Sequence, residues 1–282
     1  MARHEEGFLS APDSLRLFWV QDLPEAEPTA FIGIVHGMGD HIGRYRSAID
    51  AFNAAGFGVL GFDYRGHGKS GGRRGHVDRF SDYVGDLKAF WAKLTEAAGG
   101  KPVFLLPHSH GGLIAAHWLR GLSKPEAARL QGVVYTSPYF ALGFTPPAIT
   151  VAVAGFLSNI VPFLPIASGL KYEALSTDEA WQKETERDPL YGKKVTPRWF
   201  TEHRTAQQQA LEFAPSLGVA TLVLTASDDT IAAVPMMRKY FDALGATDKQ
   251  YKEHSGMRHE LLNERARGEV YREIVRWIST HL

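Results

Sequence analysis

Two serines of this 282-residue chain stand where a nucleophile could be made. Residues 66 to 72 read GHGKSGG, whose last five letters fit the nucleophile-elbow pattern G-x-S-x-G around Ser70. Residues 107 to 111 read PHSHG, which departs from that pattern only in having Pro107 at the first glycine, and centre on Ser109. The elbow needs more than letters: the serine must sit on a sharp strand-to-helix turn, with a backbone N–H beyond it aimed at a developing oxyanion. Ser109 directly follows the strand-like PVFLLPH and opens the helix-like GGLIAAHWL. Ser70 is followed by GGRRGHVDRF, whose glycines and charges give a loop. Gly111 and Gly112 leave room beside Ser109, and proline's fixed φ suits the extended residue two positions before it. The stretch DYRGHGKS (63 to 70) also comes within one residue of the phosphate-cradling G-x-x-x-x-G-K-[ST]. Asp63 replaces its first glycine and no helix follows to hold phosphates, so nucleotide binding is not expected.

A serine hydroxyl becomes a good nucleophile when a base takes its proton and a carboxylate orients that base. On a sheet of the hydrolase kind the partners follow in the order Ser, Asp or Glu, His, each after a late strand. SDDT (227 to 230) after ATLVLTA offers Asp228 and Asp229, and SGMRHELLNE (255 to 264) after KQYKEH offers His259. The N–H of His110 and one from the loop HGMGDH (36 to 41), with Met38 the natural donor, complete an oxyanion hole. HELLN (259 to 263) is one residue from the zinc helix H-E-x-x-H, but Asn263 replaces the second ligand, so no metal is expected. Of the other histidines, His4, His76, His117, His203 and His281 are expected on the surface or in packing. His36 and His67 are expected to hold loops by hydrogen bonds.

These residues need a scaffold, and short apolar β-branched runs alternating with longer amphipathic ones predict a mostly parallel sheet with helices on both faces. Strands are expected at 8–11 and 15–21 as a hairpin, then at 30–36, 58–64, 102–108, 132–137, 220–226 and 249–254. Helices are expected at 44–56, 80–98, 109–122, 234–245 and 267–282. A long insertion, roughly 139–205, separates the sixth strand from the seventh; it is apolar first and charged later.

Lys plus Arg equals Asp plus Glu at 31 each, so no charge excess favours nucleic acid or an anionic membrane, and small neutral or amphiphilic molecules are the natural partners. The absence of cysteine excludes disulfides, thiolate metal sites and a cysteine nucleophile. The N-terminal residues do not resemble a secretory signal, and the expected location is the cytoplasm. The charge-free stretch from Leu130 to Leu170 is broken by five prolines, leaving AITVAVAGFLSNIV (148 to 161) uninterrupted. That is short of the ~20 residues of a spanning helix and predicts a buried or substrate-facing one.

Taken together, HGMGDHIGRY (36 to 45), FDYRGHGKSGGRRGHV (62 to 77), Ser109 in its elbow, DPLYG (188 to 192), SDDT and HELLNE (259 to 264) resemble the monoacylglycerol lipase and lysophospholipase-like group of α/β-hydrolases. The matches span nearly the whole chain. The resemblance implies an α/β-hydrolase core of residues 1–138 and 206–282 with a helical cap inserted at 139–205. It places the nucleophile on Ser109, the acid on Asp229 rather than Asp228, the base on His259 and the oxyanion donors on the N–H groups of Met38 and His110, and it makes the Ser70 loop scaffolding. Pro107 and His110 stand where the group usually has Gly and Met, and the His110 side chain is expected to line the site. The implied reaction is cofactor-free hydrolysis of a carboxylic ester, with monoacylglycerols or simpler medium-chain esters as substrates and lysophospholipids as the rival. A peptidase is less favoured, because the cap offers no acidic site for a free amino terminus. From a different class, a non-catalytic ligand-binding relative would be expected to have lost a triad member. Phe140, Phe144, Ile149, Phe156, Leu157 and Ile160 are the expected acyl-chain lining of the cap, which is also expected to touch lipid surfaces transiently, making the protein membrane-peripheral.

Overall fold

The computed structural model describes residues 3–282. Its strands are β1 (Arg3–Ser10), β2 (Arg16–Leu23), β3 (Ala30–Val35), β4 (Phe57–Phe62), β5 (Val103–Pro107), β6 (Leu130–Thr136), the short β7 (Ile166–Ala167) and β8 (Lys194–Val195), then β9 (Thr221–Ala226) and β10 (Lys249–His254). Its α-helices are α1 (Arg46–Ala54), α2 (Phe80–Ala98), α3 (His110–Arg120), α4 (Lys124–Ala127), α5 (Ala148–Ile160), α6 (Glu179–Arg187), α7 (Pro197–Phe213), α8 (Val234–Ala243) and α9 (Arg267–Ser279). Eight strands form one sheet in the order β1-β2-β4-β3-β5-β6-β9-β10, parallel from β4 to β10 and antiparallel where β2 meets β1 and β4.

Strands β3, β4, β5 and β9 are buried at every position, as expected where helices cover both faces of a parallel sheet. Alternate side chains serve two separate cores. Phe31, Val35, Leu60 and Phe62 face α2, α3, α7 and α8, while Ile32, Ile34, Phe57 and Val59 face α1 and α9. Helix α2 shows how the second layer forms. Phe80, Tyr83, Leu87, Phe90 and Leu94 recur every three or four residues and are buried, Asp82 accepts from the Arg79 N–H at its start, and Gly99 at φ 60° ends it. Its Phe90 stacks on Phe62 at 4.3 Å; burying a ring of that size contributes ~1.5–3 kcal/mol.

The strand and helix expectations agree with the structure to within a few residues, with two informative exceptions. The first hairpin strand starts at Arg3 rather than at residue 8, because β1 is a charged, exposed edge whose pairing is set by backbone register and leaves no apolar pattern. The end expected for the inserted segment, residue 205, falls inside the continuous helix α7. Thr196 caps that helix by accepting from the Trp199 N–H at 3.3 Å, and Pro197 opens it. Its buried Trp199, Ala206, Ala210 and Phe213 belong to the core shared with α2 and α3.

Candidate active site

Strand β5 delivers its last residues to the carboxyl edge of the sheet, where the His108 N–H still bonds Val35 O (2.9 Å) and the Ser109 N–H bonds Thr136 O (3.0 Å). Ser109 then reverses the chain at φ 49°, ψ −116°, and α3 begins one residue later. A non-glycine residue held in that region costs on the order of 1–3 kcal/mol, which the flanking ladder and helix must offset. The turn is tight enough that a β-carbon on Gly111 would lie 2.2 Å from Val35 O, which explains the glycine there. Pro107 fits as the terminal strand residue, paired in register with Val35. The letter that breaks the motif leaves its geometry intact.

His259 Nε2 lies 2.7 Å from Ser109 Oγ, and His259 Nδ1 lies 2.7 Å from Asp229 Oδ2. A carboxylate accepts, so Nδ1 carries the proton and Nε2 presents its lone pair to the Ser109 hydroxyl. Asp229 is itself fixed, its Oδ1 accepting from the N–H groups of Ile231 and Ala232 at 2.9 Å each. Asp228 turns to solvent and accepts only from Ser227 Oγ (2.7 Å). The line is nearly sealed, with Ser109 5% and His259 3% exposed. Chemically this arrangement can deprotonate Ser109 and hold the imidazolium that results.

Burial pushes the His259 pKa down, but the Asp229 carboxylate, assisted by Glu260 and Asp40, outweighs it and the net direction is up from 6.5. A base must be neutral to accept a proton. The kcat/KM profile is therefore expected to fall on the acidic side with a midpoint above 6.5, and in Asp229→Asn, where burial remains and the carboxylate is gone, below 6.5. Initial rates from pH 5 to 9 check both. The same shift adds folding stability at pH below the unfolded histidine value and loses it as pH rises through the folded one.

The N–H of His110, first residue of α3, has no helical acceptor, and no backbone carbonyl among the described residues takes the Met38 N–H. The loop bearing Met38 and the first turn of α3 lie at the same sheet edge as Ser109. Next to Met38, Gly39 takes φ 75° so that Gly192 can approach and donate to Gly39 O at 2.6 Å. The side chain of His110 does not line the cleft. It is fully buried and points inward to Tyr64 Oη (2.9 Å) and His203 Nε2, and His203 is itself packed in the core, stacked on Trp199 at 3.7 Å.

Ser70 sits in a different environment. Its hydroxyl donates to Asp63 O and accepts from the Phe18 N–H (2.7 Å), while the Asp63 carboxylate accepts from the N–H groups of Ile42 and Lys69 at 2.7 Å each. The loop is stapled to β2 and to the start of α1, and its serine has no base beside it. His259, with both nitrogens engaged by Ser109 and Asp229, is not presented as a metal ligand, and Leu261–Asn263 form a 3₁₀ turn rather than the α-helix a zinc pair requires.

The expected acyl lining is corrected. Phe140 is 1% exposed and stacks on Tyr240 at 3.7 Å in the body of the protein. Ile149 (70% exposed), Phe156 (65%), Phe144 and Ile160 face solvent, and Leu157 is half-buried. The cause is the way α5 docks: Ser158 meets Thr201 of α7 (2.9 Å) and Arg198 holds Ser158 O (2.8 Å), which turns the opposite face outward.

One cluster escaped the sequence analysis. Arg44 donates to both oxygens of Glu260 (3.1 and 2.9 Å) and to Thr185 Oγ1 (2.7 Å) and forms an ion pair with Asp40 (Nε to Oδ1 2.7 Å), while Trp181 Nε1 donates to Glu260 at 2.6 Å. It ties the residue after His259 to the loop bearing Met38. Arg44 and Asp40 lie in the quoted HGMGDHIGRY, but a partner 216 residues away leaves no local signal.

Residues 26–266 match the family described as serine aminopeptidase, S33. The chain is 32% identical to phospholipase YtpA of Bacillus subtilis over 247 residues, covering 87% of this chain and 93% of that one. It is 28% identical to a monoacylglycerol lipase of Mycolicibacterium smegmatis over 261 residues, covering 92% and 91%. The crystal structure of Paleococcus ferrophilus monoacylglycerol lipase superposes with a TM-score of 0.83 at 30% identity, covering 94% of this chain and 99% of that one. The matched span runs from before the Met38 loop to beyond His259: the chain belongs to the serine aminopeptidase S33 family of α/β-hydrolases and is a serine hydrolase.

Proposed function

We propose that this enzyme hydrolyses carboxylic esters of the monoacylglycerol type through an acyl-enzyme on Ser109. The observation that carries the reading is the unbroken Asp229–His259–Ser109 line, two contacts of 2.7 Å each, in a family whose relatives include named monoacylglycerol lipases. His259 Nε2 takes the Ser109 proton as Oγ bonds to the ester carbonyl carbon, and the oxyanion is held by the N–H groups of Met38 and His110. Collapse breaks the ester bond, and the leaving alcohol takes the proton from His259. Water then attacks the acyl-enzyme with His259 again accepting the proton, and the Oγ–acyl bond breaks as His259 returns that proton to Ser109 Oγ, releasing the carboxylic acid.

We further propose that the segment from residue 139 to Thr196, rather than to residue 205, is the cap, since α7 packs with the core. Its outer face suits a lipid surface. Ile149, Val153, Phe156 and Ile160 recur at helical spacing on the exposed side of α5, and Phe144, Phe163, Leu164 and Ile166 extend the patch. Contiguous exposed apolar area of this kind marks an interaction site, and the 13 residues of α5 are too few to cross a bilayer. No described helix is long and apolar enough to span a membrane. Replacing Ile149 and Phe156 by serine is expected to weaken sedimentation with vesicles and slow turnover of vesicle-borne monoacylglycerol ~10-fold or more, at ~0.8 kcal/mol per exposed methylene lost. Hydrolysis of soluble p-nitrophenyl acetate should stay within about two-fold, since neither side chain faces the buried line.

The phospholipase name of one relative supports a second reading, a lysophospholipase on the same triad. Rates on a monoacylglycerol and a lysophospholipid of matched chain length decide it. Faster glycerol-ester turnover is the expected result. A higher kcat/KM on the lysophospholipid, or turnover of an aminoacyl p-nitroanilide alone, contradicts the proposal.

A further inference from the structure

The carbonyl of Gly37 belongs to the same peptide as the Met38 N–H, and two buried side chains meet it. His36 Nδ1 lies 2.8 Å from it and Tyr64 Oη 2.6 Å, so both must donate, a carbonyl having no proton to give. Tyr64 has then spent its one proton, and its oxygen accepts from His110 Nδ1–H at 2.9 Å. A single buried hydroxyl thus touches both halves of the oxyanion hole: the peptide that supplies one N–H and the side chain of the residue that supplies the other. We propose that Tyr64 is the positioning residue of the oxyanion hole, aiming the Met38 N–H through Gly37 O and bracing His110 at the elbow. This rests on the reading of Ser109 as the nucleophile.

Two features separate this from ordinary core packing. The Tyr64 ring is already clamped without its hydroxyl, stacked on His36 at 4.2 Å and packed against His67 at 4.3 Å and Tyr83 at 5.2 Å. The hydroxyl therefore adds aim rather than bulk. Second, a donor on Gly37 O pulls electron density along the peptide and makes the Met38 N–H a stronger donor, the cooperative effect of linked hydrogen bonds. Beyond His110, the chain of contacts continues through His203 to Trp199 O, which accepts from His203 Nδ1–H at 2.6 Å. The links that act are the two made by Tyr64. They also account for histidine at position 110: its Nδ1 is the only group shown donating to the Tyr64 oxygen among the described residues.

The test compares wild type, Tyr64→Phe, His110→Met and the double variant, with Ser109→Ala as control, each normalised to the fraction labelled by a fluorophosphonate or, for the control, to folded protein. Tyr64→Phe is expected to lower kcat ~10- to 100-fold with KM within two-fold, less than the ~100- to 1,000-fold of losing a donor outright. Affinity for a trifluoromethyl ketone, which forms an oxyanion on Ser109, should fall by the same factor, while that of a non-reactive ether analogue should hold. His110→Met should cost ~3- to 10-fold, and the double variant should be no worse than Tyr64→Phe alone, since both act through one hydroxyl. A kcat within two-fold of wild type in Tyr64→Phe, equal losses of ketone and ether affinity, or additive losses in the double variant overturn the inference. Activity surviving in Ser109→Ala overturns the reading beneath it instead.

Discussion

Asp229→Asn is expected to lower kcat by about four orders of magnitude, the scale seen when the orienting carboxylate of a serine triad becomes an amide. Asparagine keeps the volume but offers its NH₂ or its C=O to His259 Nδ1 without a full charge. The NH₂ arrangement forces the proton onto Nε2, where it faces the Ser109 hydroxyl and cannot accept from it. The two N–H groups of Ile231 and Ala232 that now hold Oδ1 favour keeping the carbonyl on their side, which turns the NH₂ toward the imidazole. The neighbouring Asp228→Asn should leave kcat within about two-fold, because its carboxylate meets only Ser227 in solvent. Steady-state kinetics on a soluble ester, with circular dichroism to confirm folding, check the pair. Equal losses in both variants would show that charge near the site, rather than aim, is what matters.

The largest expected effect on stability comes from Arg44→Ala. Burial opposes the charge on Arg44, and the carboxylates of Glu260 and Asp40 outweigh that and raise its pKa. The guanidinium also lies over the rings of Trp181 (4.5 Å) and Tyr191 (4.9 Å). Removing it leaves the two buried carboxylates of Asp40 and Glu260 without their cation, a loss of ~3–5 kcal/mol for a buried pair broken from one side. For a chain of this size that lowers the melting temperature by on the order of 10 °C. Arg44→Lys should recover only part of it, because a point charge cannot fork to both Glu260 oxygens and Thr185 together. Differential scanning calorimetry of the three proteins gives the answer; a melting temperature unchanged in Arg44→Ala would mean the cluster adds nothing net. Activity should fall too, as Glu260 adjoins His259 and Asp40 lies two residues from Met38.

Much of this architecture is legible in the sequence, for identifiable reasons. Fully buried parallel strands leave unbroken apolar runs, and the amphipathic period of α2 marks both of its ends to the residue. Ser109 stands out from Ser70 because only one of them separates a strand from a helix, and a turn of that kind is local. His259 and the Asp228–Asp229 pair follow from chain order after late strands, while the choice of Asp229 over Asp228 comes from the family resemblance and not from the local sequence. What the sequence hides is long-range or orientational. The Tyr64, His110 and His203 contacts join residues 46 and 93 positions apart and carry no pattern. The face α5 presents depends on its docking through Ser158 and Arg198, so an apolar helix that reads as substrate-facing turns its large side chains to solvent. The proposed end of the cap rests on a related feature: Thr196 and Pro197 signal a helix start, and the packing of that helix with the core is visible only in the tertiary structure.

The account stands on Ser109 being the nucleophile despite its altered motif. The most direct measurement is turnover of a p-nitrophenyl ester series, from short to long acyl chains, by wild type, Ser109→Ala and Ser70→Ala. Ser109→Ala should lose ~10⁴-fold or more in kcat on every ester. Ser70→Ala, which loses only a staple between Asp63 O and the Phe18 N–H, should keep its kcat in whatever fraction stays folded. Undiminished hydrolysis by folded Ser109→Ala, with activity lost in folded Ser70→Ala, would contradict the account at its centre.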